Sequence, residues 1–484
     1  MFVAALVAVV AAVALVRGDS PARTSTARPE PAAQRFHSRP DLKPPLVTVN
    51  TPARGTTDGY VLLAPKRAVA QAGPMILDDR GQVVWFRPLE TMAVADFRAQ
   101  RYGGRPVLTW WRGRAPKGVG DGHYVIVDES YNEIATVTAG NGLTGDIHEF
   151  LITERDTALI TIYERKPWDL SPVGGPKDGE IFDGVIQELD IARGRVLYEW
   201  RSSEHVGVDE SVQKAPRARQ GKKAPPFDYF HVNSVAEDLD GDLLVSARHT
   251  NAVYKISKKD GRVLWRLGGK RSDYAMGPGT RFALQHDARR QPDGTLTLFD
   301  NGAKRKGARS RVLVLVLDDD PRRATLERTY EHPDELFAET QANAQFLPNG
   351  HVLVGWGQAP YVTEFDRAGE VVFDLRFGGK GADSYRAYRA EWTGRPADDP
   401  ALAATRAEDG RVTAYASWNG ATEVVRWQLV AGPDPQRLHP VATVPKAGFE
   451  TGLTVRTTQP FVRVRALGAN GTVLGTSRAV KLAK

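Results

Sequence analysis

"DGDLLVSARHTNAVYKISKKDGRVLWRL", residues 240–267, is the stretch that decides the fold. Asp240-Gly241 is a turn dipeptide, and Leu243, Val245 and Ala247 alternate after it as one face of a strand. A gap follows, then a second strand pair broken by Asp260-Gly261. The pattern recurs along the chain, starting from Asp58, Gly103, Asp156, Asp240, Asp293 and Asn349. Each copy holds about four short strands. Sheets of four strands repeated radially make a β-propeller. The expected fold is therefore all-β, with six blades over 46–395 and an insertion at about 203–226 in the widest gap. A parallel β-helix needs shorter, more regular repeats, and a sandwich does not repeat six times.

The segment after the last copy has a different texture. Residues 400–484 alternate with period two and carry their own turns, as in "RVTAYASWNGATEVVRWQLVAG". This suits a small immunoglobulin- or fibronectin-like β-sandwich with Trp418 and Trp427 in its core. Before the repeats, residues 2–16 are an unbroken apolar run followed by Arg17. The run is short for a membrane span and fits a secretory leader or an anchor, over 1–17. Residues 18–45 are rich in Pro, Ala, Ser, Thr and Arg and read as a disordered linker. The expected location is extracytoplasmic, secreted or held at the membrane by the N-terminal segment alone.

Bulk composition excludes some chemistry. The chain has 484 residues and no cysteine, so disulfides, thiol catalysis, iron–sulfur clusters and cysteine zinc sites are excluded. The net charge of +7 is interspersed rather than clustered, so no nucleic-acid partner is expected.

The repeat allows one position to be compared in every copy. Counting back from the turn that closes the first, axis-lining strand gives Asp96, His148, His231, His286 and Asn343. Inner strands of a propeller converge, so three histidines from three copies point at one volume. Asn233 follows His231, and Arg248 closes the second strand of the same hairpin. Buried polar groups without partners each cost about 1–3 kcal/mol, so five together argue for a ligand. The other histidines considered (His37, His123, His205, His332, His351 and His439) fit no such register.

Three chemistries suit the cluster. Three histidines form a common zinc set, but Arg248 and Asn233 are poor neighbours for a dication, and no metal is expected. Arg248 offers a planar fork to a tetrahedral oxyanion, with His and Asn as further donors. A neutral imidazole can also attack sulfur or phosphorus and hold the group covalently.

At these residues the chain resembles the arylsulfotransferases, the PAPS-independent propeller type, and especially the branch common in actinobacteria. The resemblance spans about 38–395. It is carried by "RPDLKPPLVTV", "GPMILDDRGQVVWFRPL", "HEF", "FHVNSV", "SARHTNAVYKI", "GRVLWRLGG", "QHDARR" and "FDNG". It implies ping-pong transfer of a sulfuryl group from a phenolic sulfate ester to a phenol, with no cofactor. It implies that His286 accepts the group, with His231, Asn233, Arg248 and His148 completing the catalytic set. The runner-up is a non-catalytic exported propeller that binds an anionic ligand or a surface polymer. A quinoprotein dehydrogenase would need tryptophan docking motifs in each blade and a calcium carboxylate, and neither is found.

Three smaller signals stand apart. "DLDGD" at 238–242 has part of a calcium loop but reads better as a hairpin turn. "QKAPRARQGKK" at 213–223 is a basic loop or a lid. Trp110 and Trp111 suit either core packing or stacking on an aryl ring.

Overall fold

The structure is a computed structural model that describes residues 32–89, 93–218, 223–303 and 307–483. The leader or anchor expected over 1–17 lies outside these residues. Among the described residues no helix is long and apolar enough to cross a membrane.

The fold is all-β. Six sheets of four or five strands follow one another between Val47 and Ala390. The fourth can stand for the rest: Val232–Glu237, Leu243–Ala247, Ala252–Ile256 and Val263–Gly268 pair antiparallel in chain order. Turn chemistry repeats between the first two strands. Gly241, Gly294 and Gly350 take φ of 86°, 90° and 82° in three successive sheets. Only glycine adopts these angles without strain. The Asp238–Asp242 turn is closed by the Asp242 carbonyl accepting from the Asp238 N–H at 2.7 Å. Asp238 pairs with Arg290 and Lys255, so cations of the protein occupy the carboxylate that a calcium loop would use.

Neighbouring sheets touch near their innermost strands. Phe150–Ile152 meets Ala93–Tyr102, and Val232–Glu237 meets His286–Arg290. Asn343–Phe346 meets Ala387–Ala390, which in turn meets Ala93–Tyr102, so the series closes into a ring. Two pairings distant in sequence seal it. Ala387–Ala390 is the inner strand of the first sheet, paired with Tyr60–Leu63. Val47–Thr51 adds an outer strand to the last sheet, paired with Val371–Phe377. Because each sheet is sandwiched between two others, Leu243–Ala247 and Leu296–Asp300 are buried on both faces. Trp110 and Trp111 are likewise fully buried, so they are core residues and cannot stack on a ligand.

Two further sheets follow the ring. One holds Ala401–Arg406, Arg411–Ser417 and Glu450–Arg456. The other is built on Arg426–Asp434 and Phe461–Leu467. They share one core, made of Val412, Ala414, Leu453, Trp427, Leu429 and Val464. Trp427 is fully buried, whereas Trp418 is only partly buried at its margin. Asn419 fixes this pair of sheets to the ring by bonding the Phe86 N–H at 3.0 Å and carbonyl at 2.9 Å.

The expectation of a disordered linker through residue 45 is corrected for 34–45. Leu42 is 1% exposed. The Phe36 ring lies 4.3 Å from Phe449, and His37 stacks on Tyr415 at 3.9 Å. The Ser38 N–H donates to Glu450 at 2.6 Å. A few apolar anchors suffice here because distant sheets supply the surface that buries them.

Candidate active site

The three in-register histidines sit at the entries to the innermost strands of three consecutive sheets. His148 precedes Phe150–Ile152, His231 precedes Val232–Glu237, and His286 opens His286–Arg290. His231 has φ of 55°, a left-handed conformation unusual for a residue with a side chain. A register shift follows at Val232/Ser234. The hairpin continues past this kink: the Arg248 N–H donates to the His231 carbonyl at 2.9 Å, and the His249 N–H to the Phe230 carbonyl at 3.0 Å. Arg248 and His249 therefore end at the same rim as His231. The His148 and His231 rings meet edge to face at 5.0 Å, and His231 lies 4.4 Å from His249. Tyr163 packs 5.5 Å from both His148 and His231, and its hydroxyl donates to the Val232 carbonyl at 2.7 Å.

Two aspartates orient two of these rings. His148 Nδ1 bonds the Asp146 carboxylate, and His231 Nδ1 bonds that of Asp228. Each ring thus carries its proton on Nδ1 when neutral and keeps an Nε2 lone pair. Asp146 is itself held by the Gly120 N–H at 2.5 Å and the His148 N–H at 3.1 Å. Burial, followed by the nearby His148 and Arg248, holds the His231 pKa well below the usual imidazole value. His231 is neutral near pH 7 for that reason.

His286 is 2% exposed. Its Nδ1 lies 2.7 Å from Asn301 Oδ1 and 3.1 Å from the Leu284 carbonyl. Its Nε2 accepts from the Gln341 N–H at 3.2 Å. Burial first, then the charge of Arg248, push its pKa far down against the opposing bond to Asn301, with His148 and His231 adding to the depression. Arg248 spreads its fork between His249 Nε2 at 2.8 Å and the Glu339 carbonyl at 3.2 Å. Its Nε is buried without a partner. Asn233 donates from Nδ2 to the Gln285 carbonyl at 2.7 Å, and its Oδ1 is buried without a partner. Each of these two polar atoms lacks a partner within the protein and can be satisfied by a bound ligand or water.

Asp228, His231 and His249 have ligand atoms close enough to hold a metal ion. Their hydrogen bonds argue against it. His249 accepts from Arg248 at Nε2, so its Nδ1–H donates to the Asp228 carbonyl at 2.6 Å. Both nitrogens are engaged, and the neighbouring guanidinium repels a dication.

The register also selected Asp96 and Asn343, and neither joins the histidines. Asp96 is bonded to Arg98 and Arg386 in a buried charge cluster centred on Glu149. Glu149 bridges Arg98, Arg289 and Arg386, and these cations hold its carboxyl far below the usual range despite burial. Arg386 also donates to the Asn233 carbonyl at 3.1 Å, linking the cluster to the site. Asn343 bonds both backbone groups of Ala387 in the adjoining sheet. Sequence reasoning missed Asp146, Asp228, His249 and Asn301. An acid two or three residues before a candidate histidine, as in "DIH" and "DYFH", was the available signal. The basic 213–223 loop is described only in part, because 219–222 lie outside the described residues.

The family model described as arylsulfotransferase (ASST) matches residues 98–378, a segment that contains His148, His231, Asn233, Arg248 and His286 but neither Asp96 nor Arg386. No curated protein matches significantly. Among solved structures, a protein of unknown function from Bacteroides caccae is 14% identical, with 68% of this chain and 98% of that one covered and a TM-score of 0.42. A streptogramin B lyase is 12% identical over 76% of this chain and 93% of its own, with a TM-score of 0.35. The extracellular domain of a putative one-component system from B. thetaiotaomicron is 10% identical, covering 86% and 62%, with a TM-score of 0.33.

Proposed function

The chain belongs to the arylsulfotransferase family, and from that premise we propose that it transfers a sulfuryl group from a phenolic sulfate ester to a phenol by a ping-pong route through His286. The observation that carries this reading is a buried, neutral His286 beside the fork of Arg248. A neutral imidazole keeps the lone pair that a nucleophile needs.

The chemistry runs in two halves. In the first, His286 attacks sulfur and the aryl oxygen leaves with the bonding pair. Sulfuryl transfer resembles phosphoryl transfer in its loose transition state, with charge spread over three oxygens. Arg248 is the fixed cation for those oxygens, and the second N–H of Asn233 is a further donor. In the second half, the acceptor phenol attacks the sulfohistidine. His231, neutral and oriented by Asp228, takes the phenol proton at Nε2. A neutral His231 carries no proton on Nε2 at the start, so donors whose phenols are acidic enough to leave as phenolates are favoured. His148, held by Asp146, packs edge to face against His231 at 5.0 Å. No cofactor enters the scheme. The proposal includes export, with 1–17 as leader or anchor, the ring over 46–395 as the catalytic domain, and 400–484 as a separate accessory sandwich.

The test is intact mass after mixing with 4-nitrophenyl sulfate, beside His286→Ala. A gain of about 80 Da with a burst of phenol, both absent in the variant, is the expected result. A folded protein that gains no mass and releases no phenol from this or other aryl sulfates would refute the enzyme and leave a binding propeller.

A further inference from the structure

We propose that Asn301 is the positioning residue that holds His286 in its Nδ1–H tautomer and so makes Nε2 the atom that takes the sulfuryl group. The catalytic meaning of this assignment rests on the function proposed above; the tautomer itself does not.

The argument starts from the amide. Asn301 is fully buried, so each of its polar atoms must find a partner inside the protein. Its Nδ2 donates to the Ala338 carbonyl at 2.8 Å and to the Gln341 carbonyl at 3.0 Å. Turning the amide over would set Oδ1 against two carbonyl oxygens and lose both bonds. The orientation is therefore fixed by groups other than the histidine. Oδ1 must face His286 Nδ1, at 2.7 Å, and an oxygen with no hydrogen can only accept there. Nδ1 carries the proton as a result, and the Leu284 carbonyl at 3.1 Å accepts from the same side.

An independent contact on the other edge of the ring gives the same answer. The Gln341 N–H donates to Nε2 at 3.2 Å, which requires a lone pair on that nitrogen. Gln341 and Ala342 both adopt left-handed conformations, with φ of 70° and 91°. The Gln341 side chain is anchored by Lys66 at 2.6 Å and by Asp383 at 3.2 Å. Asn301 thus grips the ring with its oxygen, and with its nitrogen the loop that covers the ring's reactive edge.

The tautomer decides the bonds made. When the Nε2 lone pair forms the N–S bond, the S–O bond to the aryl carbon's oxygen breaks and its electron pair leaves on the phenolate. The Gln341 N–H gives up Nε2 at this point. The ring becomes a sulfoimidazolium, keeps its proton on Nδ1 and presents its new positive charge to Asn301 Oδ1. In the return step the acceptor oxygen bonds to sulfur, and the N–S pair goes back to Nε2.

The experiment reads the tautomer and its consequence separately. Histidine ¹⁵N spectra of the resting protein, assigned by difference against His286→Gln, are expected to show a protonated Nδ1 and an unprotonated Nε2. Asn301→Asp keeps the accepting oxygen, gives up the two bonds from Nδ2 to the Ala338 and Gln341 carbonyls, and adds a negative charge, so the His286 titration should move up by about 1–3 pH units. The acid limb of the phenol burst should move with it. Asn301→Leu should slow the burst on the order of 10²-fold, and Asn301→Asp should recover most of the rate above its shifted limb. A residue with only a packing role would lower stability in both variants, and Asn301→Asp would then recover no more of the burst than Asn301→Leu. An Nε2–H tautomer in the resting protein, a sulfuryl group on Nδ1, or an unmoved titration in folded Asn301→Asp would overturn the assignment. If no aryl sulfate gives an adduct, the proposed function fails, and the ¹⁵N titrations still decide the role of Asn301.

Discussion

Acidification should weaken this fold through histidines held neutral inside it, and His249 gives the clearest magnitude. Burial, then the nearby His231, lowers its pKa from 6.5 to about 3. A depressed histidine binds its proton first in the unfolded chain. Its contribution to stability is complete above pH 6.5 and is lost as the pH falls toward about 3. Between pH 7 and pH 5 the unfolded chain gains nearly one proton here that the folded protein does not. At roughly 1.4 kcal/mol per unit below the unfolded value, this is about 2 kcal/mol. His231 and His286 are shifted in the same direction. Burial raises the pKa of Asp228, which acts in the opposite sense. The comparison is therefore made with His249→Gln, whose amide can still accept from Arg248 and donate to the Asp228 carbonyl. Urea unfolding at pH 7 and pH 5 should show the variant losing about 2 kcal/mol less than the wild type. Equal losses in the two proteins would refute a neutral, buried His249 and weaken the same reasoning for His231 and His286.

Three other outcomes follow from the geometry. Arg248→Lys keeps the charge but loses the fork that spans His249 and Glu339, and the phenol burst should fall about 10²–10³-fold. Glu149→Gln leaves Arg98, Arg289 and Arg386 without their shared carboxylate; a loss of about 3–5 kcal/mol in urea unfolding is expected. Leu42→Ala should cost about 2–4 kcal/mol if residues 34–45 belong to the packed structure, whereas a free tether would show no change.

The repeat was legible because turn chemistry recurs at matched points, and Gly241, Gly294 and Gly350 keep that regularity in space. The same count from the turn selected His148, His231 and His286, which lie at the entries to the inner strands of three consecutive sheets. It failed for Asp96, where φ of 56° and the register shift at Ala95/Arg98 accompany a side chain committed to the charge cluster. It failed for Asn343 because that amide satisfies the backbone of Ala387. Asp146 and Asp228 lie before their strands, in segments with no period, so only spatial closeness reveals them. Residues 34–45 were misread for a related reason. Their composition is that of a tether, and part of what orders them is chain more than 370 residues further on, at Tyr415, Phe449 and Glu450, beside the nearer Gln71 that bonds Asp41 and Lys43.

The two pairings that seal the ring also set its timetable. Leu62 pairs with Tyr388 and Val49 with Leu375, so neither partnership can form until nearly four-fifths of the chain exists. At about 5–20 residues per second of synthesis, Tyr60–Leu63 waits on the order of 20–60 s with one edge unpaired. Such an edge recruits other strands, so this interval is the period of greatest exposure to aggregation. Contacts so far apart in sequence also make closure slow. Once both latches are shut, the first and last sheets cannot peel away without breaking one of them, and escape from the finished ring is correspondingly rare. Durability would then come from a high barrier to opening, in a chain that has no disulfide to supply it.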